Sequence, residues 1–215
     1  MKWIALAVVA LSLGGVVTLM GQGTSTSQKV VKRPIGGNPG QVRTAWPPKP
    51  KPGNELIMLS GGCFWGIEDW FRMQPGVVQT AVGYAGGRTQ NPTYEQVCYS
   101  NTGHAESLLV EFDPKKNSYE KLLKNFWDWH DPTLIDRQGP DIGDQYRTAI
   151  WTFSETQRKL ALASKQKEQK NWDKPIVTTI LPAPRFWMAE EYHQQYDEKT
   201  GKKSCSPRTG LPIKG

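Results

Sequence analysis

The sequence predicts an α+β domain: a two-layer, ferredoxin-like split βαβ arrangement with helices on one face of a mixed sheet, followed by an irregular C-terminal tail. Three observations carry that expectation. Apolar segments of strand and helix character follow one another in the order β-α-β-β-α-β between Glu55 and Phe153, and a further helix and strand come after them. From Thr200 onward the apolar period stops altogether.

The elements can be justified in turn. Glu55 to Leu59 is a short apolar strand running into the turn Ser60-Gly61-Gly62, and Phe64 to Met73 reads as a helix closed by Gln74-Pro75-Gly76. Val77 to Tyr84 is a second strand, and Ala85 to about Thr102 is expected to be a loop. In AESLLVEFDP, the residues Leu108, Val110 and Phe112 alternate as one face of a strand does. Ser118 caps a helix whose Leu122, Leu123, Phe126 and Trp127 form one apolar stripe. RTAIWTF is a strand. Ser154-Glu155-Thr156-Gln157 has the form of a capping box and opens a helix to about Trp172, before the strand PIVTTIL.

The ends of the chain differ from this middle. Residues 1–23 place one lysine ahead of an apolar run from Trp3 to Met20, as in a secretory signal peptide or a membrane anchor. Either reading places the domain outside the cytoplasm: exported, whether periplasmic, secreted or anchored. Residues 24–53 are rich in Pro, Gly, Ser and Lys and read as an extended linker. That leaves 54–199 for the folded domain and 200–215 for a mobile tail carrying Cys205. The net charge of +7 over 215 residues is dispersed, with dense basic runs only near the ends, so a nucleic-acid partner is not expected. Membrane contact is expected only through the N-terminal segment. The chain holds three cysteines, an odd number that leaves one thiol free under full pairing and favours redox use over stapling.

In SGGCFWGIE, Cys63 sits where the first strand gives way to the first helix. Helix N-terminal N–H groups stabilise a thiolate and lower a thiol pKa, while the glycines permit close approach and Phe64 and Trp65 supply a flat apolar wall. A reactive thiol and a buried core cysteine are both compatible with that stretch. His104, His130 and His193 stand singly without ligand-like spacing; structural hydrogen bonding is expected of them, and no metal or other cofactor.

GGCFWG is similar to the active-site motif of the peptide methionine sulfoxide reductase A family. The similarity continues through GYAGG, NPTYEQVC, TGHAE, FDP, HDPT, RQGPDIGDQYR and EEYHQQY, covering about Glu55 to Tyr196. The resemblance implies thiol-dependent reduction of methionine S-sulfoxide, free or in proteins, and hence protein repair. It makes Cys63 the nucleophile that becomes a sulfenic acid. Glu106 is then the acid, Tyr94 and Tyr146 the hydroxyl donors, Phe64 and Trp65 the wall for the substrate methyl, and Asp141 a supporting polar residue at the substrate site. Cys205 is the implied resolving thiol, giving a disulfide reduced by thioredoxin or a similar dithiol donor. Cys98 reads as an apolar core position, although a two-step relay would require it. A monomer is expected. A binding module for oxidised methionine without turnover, and a cysteine hydrolase using His104, are the readings the resemblance displaces.

Overall fold

The computed structural model of the protein describes residues 49–202. Strand β1 (Glu55–Gly61) leads into α1 (Phe64–Arg72), β2 (Val77–Ala85), α2 (Tyr94–Tyr99), β3 (Ala105–Phe112) and α3 (Tyr119–Trp129). A small hairpin, β4 (Arg137–Gln138) with β5 (Asp141–Ile142), precedes β6 (Thr148–Thr152). The chain then forms α4 (Glu155–Glu168), β7 (Thr179–Pro182), β8 (Trp187–Met188) and α5 (Tyr196–Thr200). Single 3-10 turns lie at Asp144–Tyr146, Gln169–Asn171 and Glu191–His193.

The main sheet has the order β7-β6-β1-β3-β2-β8. Its inner four strands, β6-β1-β3-β2, are antiparallel neighbours linked through α1 and α3, which is the split βαβ order expected from the sequence. Parallel pairing of β7 with β6 makes the sheet mixed. Alternate residues of the strands serve two cores. Ile57, Leu59, Leu108, Val110 and Phe112 pack under the helices with Phe71, Leu122 and Phe126. Leu56, Met58, Leu109 and Trp151 face the other side, where Phe186 and Met188 of the returning chain cover them. Burial on both faces explains why β1 is apolar nearly throughout instead of alternating with polar residues.

The register assembles the functional end of the sheet. Leu59 pairs with Leu108, so continuing the ladder sets Gly61 against Glu106, while Gly61 pairs with Thr148 on the other side. Three strand ends therefore converge just before Cys63. The turn there is fixed from beneath: the Trp129 indole donates to the Gly61 carbonyl at 3.1 Å, and a Cβ on Gly61 would meet the Phe126 ring at 2.9 Å. Gly62 has φ +91°, where a side chain is strained.

Several expectations need correction. The stretch 85–102 is not all loop, because Thr93 and Gln96 form a capping box that starts α2. At Ser154 the hydroxyl caps Gln157 as expected, but the Gln157 side chain accepts from Phe153 N–H rather than from Ser154. Helix α4 ends at Glu168 and continues only as the 3-10 turn. Of PIVTTIL, only the part from Thr179 joins the sheet: Ile176 N–H donates to the Gln169 side chain and Val177 N–H to the Pro132 carbonyl, which takes them off the ladder. Among the described residues, no helix is long and apolar enough to cross a membrane; the apolar leader lies outside them.

Candidate active site

Cys63 occupies the N-cap position of α1, with φ −54° and ψ 124°. Its sulfur receives the backbone N–H groups of Trp65 and Gly66, the helix-end donors anticipated from the sequence. The expected lowering of the thiol pKa does not follow. Burial, the largest influence, and then the charge of Glu106 push the thiol well above its ordinary value, and the two N–H groups do not offset them. In the free protein Cys63 is therefore a neutral thiol at neutral pH.

Beside it, Glu106 is 2% exposed and accepts the Phe64 N–H at 2.9 Å through Oε2. Burial pushes its carboxyl up to about 8, with Asp141 adding to the effect, so it carries a proton at neutral pH. The Tyr146 hydroxyl is pushed up first by burial and then by Glu106, Asp141 and Cys63, which places all four within one electrostatic neighbourhood. Tyr94, at the start of α2, is shifted upward by burial and also interacts with Glu106 and Tyr146. Asp141, on the hairpin strand β5, is half-buried, and desolvation raises its carboxyl too.

The other component consists of rings. Trp65 stacks on Tyr196 with centroids 3.9 Å apart and planes 13° from parallel. Its Nε1–H donates to His193 Nδ1 at 2.9 Å, and His193 also contacts Phe64 at 5.1 Å and Tyr94 at 4.5 Å between centroids. Behind these rings, Glu190 accepts the Tyr94 N–H and the Tyr84 hydroxyl. A thiol, a protonated carboxyl, two phenols and an apolar wall thus surround one small site.

The family model for peptide methionine sulfoxide reductase matches residues 55–212. The chain belongs to that family. It is 55% identical over 154 residues to the peptide methionine sulfoxide reductase MsrA of Methanosarcina acetivorans, covering 71% of this chain and 82% of that protein. Its fold is similar to Mxr1 from Saccharomyces cerevisiae in reduced form, at 36% identity and TM-score 0.70, covering 74% of this chain and 93% of that one. It is also similar to Mxr1 in complex with Trx2, at 29% identity and TM-score 0.51, covering 72% and 93%. These relatives place the chain in the A type, and the protein is an enzyme that reduces methionine sulfoxide.

Within this reductase the structure brings together seven of the eight residues singled out from the sequence: Cys63, Phe64, Trp65, Tyr94, Glu106, Asp141 and Tyr146. Cys205 lies outside the described residues. Cys98 is not a core residue, because on the short helix α2 Val97 takes the inward position. Cys98 is half-buried, and its thiol is hydrogen-bonded to the Tyr94 hydroxyl one turn earlier. His104 is committed elsewhere: Nδ1 accepts from Gly87 N–H, and Nε2 lies 2.9 Å from the Thr89 carbonyl. His130 likewise contacts Phe126 O and Thr148 Oγ1. Among the described residues no three of His, Cys, Asp and Glu are grouped as metal ligands would be.

Sequence reasoning missed the members of the aromatic wall beyond Phe64 and Trp65. His193, Tyr196 and Glu190 lie in EEYHQQY, a segment similar to the family's sequence. That segment has no strand or helix period to announce a site, since it forms a 3-10 turn, a left-handed residue and a five-residue helix.

Proposed function

We propose that this reductase acts on the S epimer of methionine sulfoxide, free or in proteins, with Cys63 as nucleophile and Glu106 as the acid. The observation that carries the reading is the protonated, buried Glu106 carboxyl held on the Phe64 N–H beside the Cys63 thiol. In the first step a Cys63 S–S bond forms to the sulfoxide sulfur while Glu106 gives its proton to the sulfoxide oxygen, and the thiol proton restores Glu106. Transfer of the hydroxyl to Cys63 then cleaves the S–O bond of the substrate, and the new S–S bond breaks with its electron pair returning to the substrate sulfur. The products are the thioether of methionine and a Cys63 sulfenic acid, so substrate sulfur is reduced by two electrons and Cys63 oxidised by two. Tyr94 and Tyr146, pushed strongly toward their neutral forms, donate hydrogen bonds to the oxygen as its charge grows. Phe64 and Trp65 hold the methyl group against an apolar face.

Cys205 then attacks the sulfenic acid, releasing water and forming the Cys63–Cys205 disulfide. A dithiol donor reduces that bond by exchange. Thioredoxin fits this step because the related yeast Mxr1 forms a complex with Trx2. The apolar leader supports a domain working outside the cytoplasm with a donor belonging to that compartment, and the reductase is proposed to act as a monomer. Incubation of the protein with S-methionine sulfoxide and dithiothreitol should yield methionine, and absence of turnover with that epimer would sink the proposal. Peptide mass mapping after one turnover without reductant should show Cys63 linked to Cys205; a Cys63–Cys98 link would reassign the resolver.

A further inference from the structure

Glu68 is fully buried, lies outside the chemistry described above, and spends both carboxylate oxygens on interactions between elements. Oε1 accepts the Thr80 hydroxyl of β2 at 2.8 Å and the Gln195 side-chain amide at 3.1 Å, and Oε2 accepts the Gln195 backbone N–H at 2.7 Å. Gln195 has φ 50° and ψ 43°, a left-handed conformation that a residue with a side chain keeps only when its surroundings hold it there. Its immediate neighbour, Tyr196, is the ring stacked on Trp65.

The sequence spacing gives this arrangement its point. Trp65 and Glu68 are three residues apart on α1 and so share a face. Two consecutive residues of the returning chain, Gln195 and Tyr196, meet that face at those two positions. One turn further along, Arg72 pairs with Glu198 of α5. The returning segment is therefore registered on α1 along its length, and Glu68 is the buried point of that register.

We infer that Glu68 is a positioning residue for substrate binding: by fixing Gln195 in its left-handed conformation it seats Tyr196 on Trp65 and so sets the wall against which the substrate methyl rests. This rests on the assignment of Trp65 to the methyl site. Glu68→Leu keeps the volume but removes both acceptors, leaving the Gln195 N–H and amide without partners. Glu68→Gln instead keeps an oxygen for the Gln195 N–H and an amide that the Thr80 hydroxyl and the Gln195 Oε1 can accept from.

Glu68→Leu is expected to raise KM for S-methionine sulfoxide about tenfold while the single-turnover rate at saturation stays within twofold, and Glu68→Gln should restore KM to within about twofold of the wild type. Tyr196→Ala should raise KM similarly, and the double variant should be no worse than the weaker-binding single variant, because both act through one stack. Thr80→Val, which removes only the bond to β2, should lower thermal stability without moving KM. Should Glu68→Leu not accumulate as folded protein, Gln195→Ala carries the same test with a smaller KM rise that vanishes in the Tyr196→Ala background. Additive effects of Glu68→Leu and Tyr196→Ala, or a loss of stability in Glu68→Leu with KM unchanged, would overturn the inference. Failure of Trp65→Ala to affect KM would instead remove the assignment of the methyl site itself.

Discussion

Two sets of residues meet around Cys63: groups whose protons matter, Glu106, Tyr94, Tyr146 and Asp141, and rings that pack, Phe64, Trp65, His193 and Tyr196. The sets touch where the Tyr94 ring meets His193 and where Phe64 N–H donates to Glu106. The acid side is delivered by strand ends, a hairpin and the first turn of α2, and its defining property is desolvation. The aromatic side joins α1 to a segment more than 120 residues further along, and its defining property is geometry set by one indole hydrogen bond and the stacking of Trp65 on Tyr196 and His193. Charge development in the transition state is met by the first side, whereas the thioether methyl, unchanged through the reaction, is met by the second. The two sides should therefore fail differently: the acid side in rate, the aromatic side in binding.

The largest effect tests the acid side. Glu106→Gln keeps an acceptor for the Phe64 N–H but has no proton to give, so the single-turnover rate should fall by roughly 10²- to 10⁴-fold with KM nearly unchanged. In the wild type the same rate should decline as pH rises through about 8, where Glu106 loses its proton. A loss of less than tenfold, or a rise in KM of the same size as the loss in rate, would place Glu106 outside the proton transfer.

A second consequence separates chemistry from stability. The folded-state carboxyl of Glu106 titrates at about 8 against 4.5 unfolded, so its contribution is fully present below pH 4.5 and is lost as pH rises through 8. Glu106→Gln should be more thermostable than the wild type, with a margin that widens between pH 5 and pH 9 and reaches on the order of a few kcal/mol. Equal melting temperatures across that range would mean that the acid side is less desolvated than its burial indicates.

How far each side could be read from the sequence follows the same division. The residues around Cys63 on α1 and at the start of β3 lie in regular elements whose apolar periods are clear, so the strand-to-helix turn at Cys63 and the split βαβ arrangement were legible. The grouping of Glu106, Tyr94 and Tyr146 with Cys63 came instead from the family resemblance. The aromatic side was legible only at Phe64 and Trp65. His193 and Tyr196 sit in a segment shaped by tertiary bonds: Gln194 reaches the backbone of Val82 on β2, and Gln195 reaches Glu68 on α1. No local period encodes those contacts. The Cys63 thiol illustrates a different limit, since the helix-end donors were foreseeable but the burial that outweighs them depends on the packed surroundings.

For the aromatic side, His193→Ala removes the acceptor for the Trp65 indole and one ring of the wall. KM should rise roughly three- to tenfold with the saturated single-turnover rate within twofold. A drop in that rate with KM unchanged would move His193 to the acid side.

The smallest effect concerns the protonation of that histidine. Accepting the Trp65 N–H at Nδ1 requires a neutral ring, and burial, only partly countered by Glu190 with its oxygen 3.9 Å from Nε2, pushes the His193 pKa down to about 4 from an ordinary 6.5. Between those two values the unfolded chain binds the proton and the folded chain does not, so stability falls as pH drops from 6.5 toward 4 and then levels off. His193→Asn retains an acceptor and does not titrate. Its melting temperature should therefore gain a few degrees relative to the wild type between pH 6.5 and pH 4, beyond any offset already present at pH 7. If the two proteins instead keep a constant difference over that range, the ring is protonated in the fold, and the indole bond that aligns the aromatic wall has a different acceptor.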